Sequence, residues 1–228
     1  MPLIRADNIK PYENWTVLVY SEPGKGKTSM VKSLSGETIV LSVDGMYSVL
    51  AGLPNVDIYT MDSTKPHDEI GNFYKFLLKN KKYQNIVIDN VSTFQKFWLN
   101  EAAKATKSGM PELKDYPIFD RVLMDFIAAL KDLKKNLLLF AHETTVEITR
   151  TSGGVYTQFQ PDFRNLNAIM GILPLVGRLV VYENQETKTE ERIIVLQPTQ
   201  ATKAKDQLIG DKKTIGQMEL LPLLEKGE

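Results

Sequence analysis

Cysteine is absent from this 228-residue chain, which excludes a disulfide framework and any metal held by thiolates. Histidine occurs only twice, which argues against a histidine-based metal centre. An excess of charge of one sign is also missing. The 28 Lys and Arg residues balance the 28 Asp and Glu residues, so a polyanionic partner must be met by local basic patches rather than by a global field. No apolar run approaches the roughly 20 residues that span a membrane, and Met1–Lys10 carries charges without the apolar stretch of a leader. There is no internal repeat and no low-complexity linker. The expectation is a soluble, cytoplasmic protein without a membrane partner. What is present is ordinary globular material, 43% hydrophobic and 25% charged, in a length that suits one core with appendages.

The most informative stretch is Ser21-Glu22-Pro23-Gly24-Lys25-Gly26-Lys27-Thr28-Ser29, directly behind the apolar run Thr16–Tyr20. A β-rich run, a glycine-rich turn and Gly-Lys-Thr opening a helix make up the context of a phosphate-binding loop. Glycines let successive backbone N–H groups turn towards one anion, which a Cβ would obstruct. In this pattern Lys27 reaches the β- and γ-phosphates and the Thr28 hydroxyl holds Mg²⁺, while a helix from Lys27 to Leu34 adds its positive end. Ser21 stands where the pattern has its first glycine; Gly24 and Gly26 keep the loop pliant where it wraps phosphate. The stretch points to a bound nucleoside triphosphate.

Further along, Thr38–Val43 reads as a buried strand followed by Asp44, and Val56–Tyr59 as a weaker one. Helices are expected over Pro66–Lys82, Thr93–Thr106 and Ile118–Lys135, the last having the clearest amphipathic spacing. Asn85–Asn90 is a short apolar strand with Asp89 at its end, the Walker B pattern, in which the carboxylate holds Mg²⁺ through water. Asn136–Ala141 is a further buried strand, ending at His142-Glu143. Strands alternating with helices imply a mostly parallel central sheet flanked by helices, with its ligand at the carboxyl edge. Ser21, Asp44, Asp89 and His142 would meet there. Thr144–Arg150 and Val155–Gln160, around Ser152-Gly153-Gly154, read as a hairpin. After a helix over Asn167–Ile172, the strands Leu175–Tyr182 and Arg192–Leu196 read as antiparallel additions at the sheet edge. The expected division is a lead-in over 1–14, a core over 15–200 and a C-terminal tail over 201–228.

The loop at 21–28, Ile88-Asp89-Asn90, Phe140-Ala141-His142-Glu143, Gln160-Pro161-Asp162-Phe163-Arg164 and Lys203-Ala204-Lys205-Asp206 together resemble phage-encoded RecA-like (AAA-type) P-loop ATPases. This group includes phage nucleotide-binding proteins and single-strand-annealing recombinases. The resemblance runs from about residue 14 to about residue 210. It implies a RecA-like P-loop NTPase core, with ATP and Mg²⁺ as cofactors. Lys27, Asp44, Asp89 and His142 take the catalytic roles and Thr28 and Asp89 the metal. Asp44 stands where such families often have a longer Glu to orient water, and His142 matches a polar sensor of the γ-phosphate. The loop after it implies DNA contact through Arg150, Tyr156 and Phe159. Arg178, Lys203 and Lys205 are candidates for a cation acting in trans within a homo-oligomeric ring or filament.

Three readings follow. The first is a DNA-stimulated ATPase that binds single-stranded DNA and assists phage recombination, annealing or replication, alongside phage replication or recombination proteins in the host cytoplasm. The second is a nucleotide-switched assembly or loader protein acting on a protein partner. A small-molecule P-loop kinase ranks below both, because Asp120-Arg121 is the only acid/arginine pair nearby and it falls within an amphipathic helix.

Overall fold

In the computed structural model, residue 5 and residues 14–150, 153–185 and 187–226 are described. Most of the expected lead-in, and Ser152 of the expected hairpin turn, lie outside them. Strands β1 (Thr16–Ser21), β2 (Thr38–Ser42), β4 (Asn85–Asp89) and the first half of β5 (Asn136–Thr149) are aliphatic runs buried on both faces. Such continuous runs belong in the middle of a parallel sheet. They pair in parallel with one another, with β3 (Val56–Thr60) and with β7 (Leu175–Glu183), in the spatial order β7-β1-β5-β4-β2-β3. Strand β8 (Glu190–Val195) runs antiparallel to β7, and β10 (Thr214–Gly216) antiparallel to β8.

Alternate strand residues feed two cores. Leu18, Tyr20, Ile39, Ile88 and Leu139 face the helices α1 (Pro66–Lys79), α2 (Val91–Lys104), α3 (Asp115–Asp132) and α4 (Leu166–Ile172). Val17, Val19, Val40, Val87 and Phe140 face the other way. They pack on Met30, Val31 and Leu50, and on Leu220, Leu221 and Leu224 of α5 (Leu220–Lys226).

Three expectations are corrected. The helix expected over Lys27–Leu34 is a six-residue 3-10 helix, Thr28–Ser33. Its residues are mostly polar or β-branched, and the Ser33 hydroxyl donates to the Met30 carbonyl at 2.8 Å, competing with helical bonding. The strand expected to stop at His142 continues to Thr149, where it pairs antiparallel with β6 (Val155–Pro161) as one long hairpin arm. Strand β7 is parallel to β1, not an antiparallel addition; β8, β9 (Lys205–Asp206) and β10 are the antiparallel strands at that edge. The helix α4 before β7 supplies the crossover that a parallel strand requires. The segment after residue 200 contributes β9 (Lys205–Asp206), β10 and α5, with β9 pairing β7.

Candidate nucleotide-binding site

At the carboxyl edge of the sheet, Ser21 stands level with His142 and Ser42 level with Asp89. Just past that edge lies a cavity of about 360 Å³, lined by Pro23, Gly24, Gly26, Lys27, Thr28, Ser29, Asp44, Asp89, Asn90 and His142, with Met46 and Val49 at its rim. Lys27, Asp44, Asp89 and His142 therefore share one cavity, and Ser21 is not among the residues that line it. Gly24 and Gly26 hold φ of 79° and 101°, values that side chains with a Cβ rarely adopt, and this makes the tight loop possible.

Lys27 is 7% exposed, and its ammonium donates to the Ser21 carbonyl at 2.9 Å, the Ser21 hydroxyl at 3.0 Å and the Glu22 carbonyl at 3.0 Å. The serine at the first glycine position thus supplies a hydroxyl partner for the lysine. Burial pulls the Lys27 pKa down to about 8, against the attraction of Asp89, Glu143 and Asp44. The Thr28 hydroxyl donates to Asp89 Oδ2 at 2.6 Å. Asp89 is 7% exposed, and burial pushes its carboxyl up to about 6, with Asp44 adding repulsion and Thr28 and Lys27 opposing. A buried carboxylate left so poorly compensated, in contact with a threonine hydroxyl, suits a hard divalent cation. The residues present therefore fit Mg²⁺ beside a phosphate group.

Asn90 was not singled out from the sequence, yet it connects the cluster. Its Oδ1 accepts from the Thr93 N–H at 2.8 Å and so caps α2. That bond fixes which end of the amide donates. Nδ2 then donates to Asp44 Oδ2 at 3.0 Å and to His142 Nε2 at 3.3 Å. The neutral His142 tautomer with its proton on Nδ1 is the one that accepts this bond. Burial, with Lys27 and Lys96 next, holds its pKa below the usual histidine value and favours this neutral form. The His142 N–H donates to Ser92 Oγ at 2.9 Å, which fixes the backbone at this point. Asp44 Oδ1 accepts from the Met46 N–H at 3.0 Å. The usable clue to Asn90 was its type: asparagine directly before an apolar periodic run is a favoured helix cap.

The residues expected to touch DNA or a neighbouring subunit are not among those lining this cavity. Arg178 forms a two-pronged pair with Glu143, at 2.7 and 3.1 Å, and lies over the Phe159 ring at 3.5 Å from its centroid. This guanidinium is engaged within its own chain, and one face of Phe159 is covered by it. The pair is nearly buried, with side-chain exposures of 16% for Arg178 and 5% for Glu143. The Tyr20 hydroxyl, fully buried, donates to the carbonyls of Phe159 and Lys203 and ties β1 to this layer. Lys205 donates to the Met170 carbonyl at 2.9 Å at the end of α4, and Lys203 to Asn167 Oδ1 at 2.8 Å on the surface. Arg150 is exposed at the hairpin tip, where it lies over the Tyr156 ring at 5.3 Å and bonds to Gln200. Asp120 pairs with Arg164 and is not among the residues around the cavity.

Among the described residues no helix is long and apolar enough to cross a membrane, and no group of three or more His, Asp or Glu could hold a metal. Residues 13–208 match a family model described as an AAA domain. No curated protein matches the chain.

Proposed function

The chain belongs to this AAA-domain family, and on that premise we propose that it hydrolyses ATP with Mg²⁺ and couples hydrolysis to binding of single-stranded DNA. The observation that supports this best is the convergence of Lys27, Thr28, Asp44, Asp89 and His142 on one cavity behind a glycine-rich loop. Phosphoryl transfer asks a protein mainly for positioning and charge neutralisation, and this set offers both. Lys27 neutralises the phosphates as they arrive, exchanging its bonds to Ser21 and Glu22 for phosphate oxygens. Thr28 and Asp89 hold the cation, which when bound neutralises charge developing on the phosphates. Asp44, oriented by Asn90 and the Met46 N–H, aligns the attacking water. His142, neutral and accepting at Nε2, keeps its Nδ1–H to donate to the terminal phosphate. Glu143 follows it in the chain and leads directly into the hairpin.

The DNA side of the proposal rests on that continuity and on Arg150, whose exposed guanidinium stacks with Tyr156 at the hairpin tip. A homo-oligomer, ring or filament, would supply a cation in trans; of the three candidates, the Lys203 ammonium lies on the surface, where it donates to Asn167. A second reading is a nucleotide-switched loader that acts on a protein partner through the same hairpin tip, where Val155 is 61% exposed. Steady-state hydrolysis with and without single-stranded DNA, at low and moderate salt, separates the two. The expected result is stimulation that fades with salt and a loss of at least about 100-fold in Lys27→Ala. Hydrolysis indifferent to DNA, with no DNA retained at low salt, selects the partner-switch reading.

A further inference from the structure

The Gly26 carbonyl accepts two hydrogen bonds. One is from the Ser29 N–H at 3.1 Å and belongs to the 3-10 turn. The other, at 2.6 Å, comes from the side-chain amide of Gln217, a residue 191 positions further along the chain. Gln217 is 6% exposed, and its own N–H donates to the Arg192 carbonyl at 2.9 Å, just after β10 pairs with β8. The amide is thus held on the sheet and reaches across to the loop. The approach is so close that a Cβ on Gly26 would fall 2.9 Å from Gln217 Nε2.

A peptide unit is planar, with its carbonyl and the following N–H pointing in opposite directions. Fixing the Gly26 carbonyl from two sides therefore fixes where the Lys27 N–H points. In a phosphate loop such N–H groups are the anion contacts, and they act best when their direction is set before the ligand arrives. A six-residue 3-10 helix leaves this loop with less support behind it than a full α-helix would give, and the C-terminal segment provides some.

We infer that Gln217 is a positioning residue of the nucleotide site, holding the Gly26–Lys27 peptide in the orientation that receives the β-phosphate. The inference rests on the nucleotide-site reading above. It assigns the segment after β8 to the binding site rather than to a dispensable tail.

The test uses the full chain and competition binding of ADP and AMP, since only ADP places a phosphate against this part of the loop. Gln217→Met keeps an unbranched side chain of similar volume and removes the donor; Gln217→Glu places an acceptor against the carbonyl. Thermal midpoints without nucleotide are recorded for both. The expected outcome is an ADP affinity about 10-fold weaker in Gln217→Met and weaker still in Gln217→Glu, with AMP affinity unchanged and the Gln217→Met midpoint close to that of the parent protein. Equal losses for ADP and AMP, unchanged ADP affinity, or losses that follow the midpoints would each overturn the inference. If the parent protein binds no ADP, the nucleotide-site reading itself fails, and that result is distinct from all of these.

Discussion

Asp89 is the residue on which the chemistry of the site and the stability of the fold oppose each other. Its pKa rises from the ordinary carboxylate value of 3.8 to about 6 because it is buried beside Asp44. A carboxyl whose folded pKa lies above its unfolded value favours folding most when it is protonated. Its contribution is fully present below about pH 4 and is lost as pH rises through about 6. A shift of this size corresponds to about 3 kcal/mol. Asp89→Asn is therefore expected to melt higher than the parent protein at pH 7.5 in the absence of nucleotide and Mg²⁺. The gap should shrink as pH falls towards 4.5, while hydrolysis is lost. Melting curves across that range check the sign, and a gap that widens in acid would refute the assignment. The phosphate loop and Asp89 were legible from the sequence because each is a local pattern. Asn90 and Gln217 were not, because their partners are set by the folded chain: Asn90 meets Asp44 and His142 from other strands, and Gln217 meets Gly26 across 191 positions.

Elements were legible where apolar period and length agree. The parallel core β1, β2, β4 and β5 and the three long helices fall where the runs and the amphipathic spacing place them. Direction was harder to read. Strand β7 is continuously buried only over Leu175–Gly177 and is interrupted by Arg178 before it runs out to exposed residues, so it lacked the long apolar run that marks a parallel strand. The end of β5 was misplaced because its second half leaves the core and alternates between partly covered and exposed residues, with polar side chains that suit a hairpin arm. The Glu143–Arg178 pair sits at that change of role, between the parallel sheet and the hairpin, with Phe159 of β6 beneath the guanidinium. Removing one member leaves the other charge nearly buried without its partner. Arg178→Met is expected to lower unfolding free energy by about 3 kcal/mol in urea titrations, and the double variant Arg178→Met, Glu143→Gln to recover most of it. A cation acting on a neighbouring subunit would behave otherwise, with turnover falling and the urea midpoint holding.

For the molecule as a whole, the question is where its core ends. The two sheet faces are covered unequally. Among the described residues four α-helices cover one, while the other has from the first half of the chain only two short 3-10 turns, Thr28–Ser33 and Ser48–Leu50. The uncovered part is closed by Ile215 of β10 and by Leu220, Leu221 and Leu224 of α5. Glu225 also accepts from the Ser35 N–H at 2.9 Å and from its hydroxyl at 2.8 Å, fastening α5 to the end of the turn behind the phosphate loop. From sequence the segment looks like an appendage, because its strands are two and three residues long and its helix is seven. Ile215, Leu220, Leu221 and Leu224 are nonetheless at most 6% exposed. At about 2 kcal/mol for each such side chain, their burial is comparable with the entire stability of a domain, roughly 5–15 kcal/mol. A chain ending at residue 204 is therefore expected to lose its cooperative thermal transition and to bind a hydrophobic dye, with no recovery on adding ATP and Mg²⁺. If it instead melts cooperatively near the temperature of the full chain, α5 is a removable cover, and the support for the phosphate loop comes from the sheet alone.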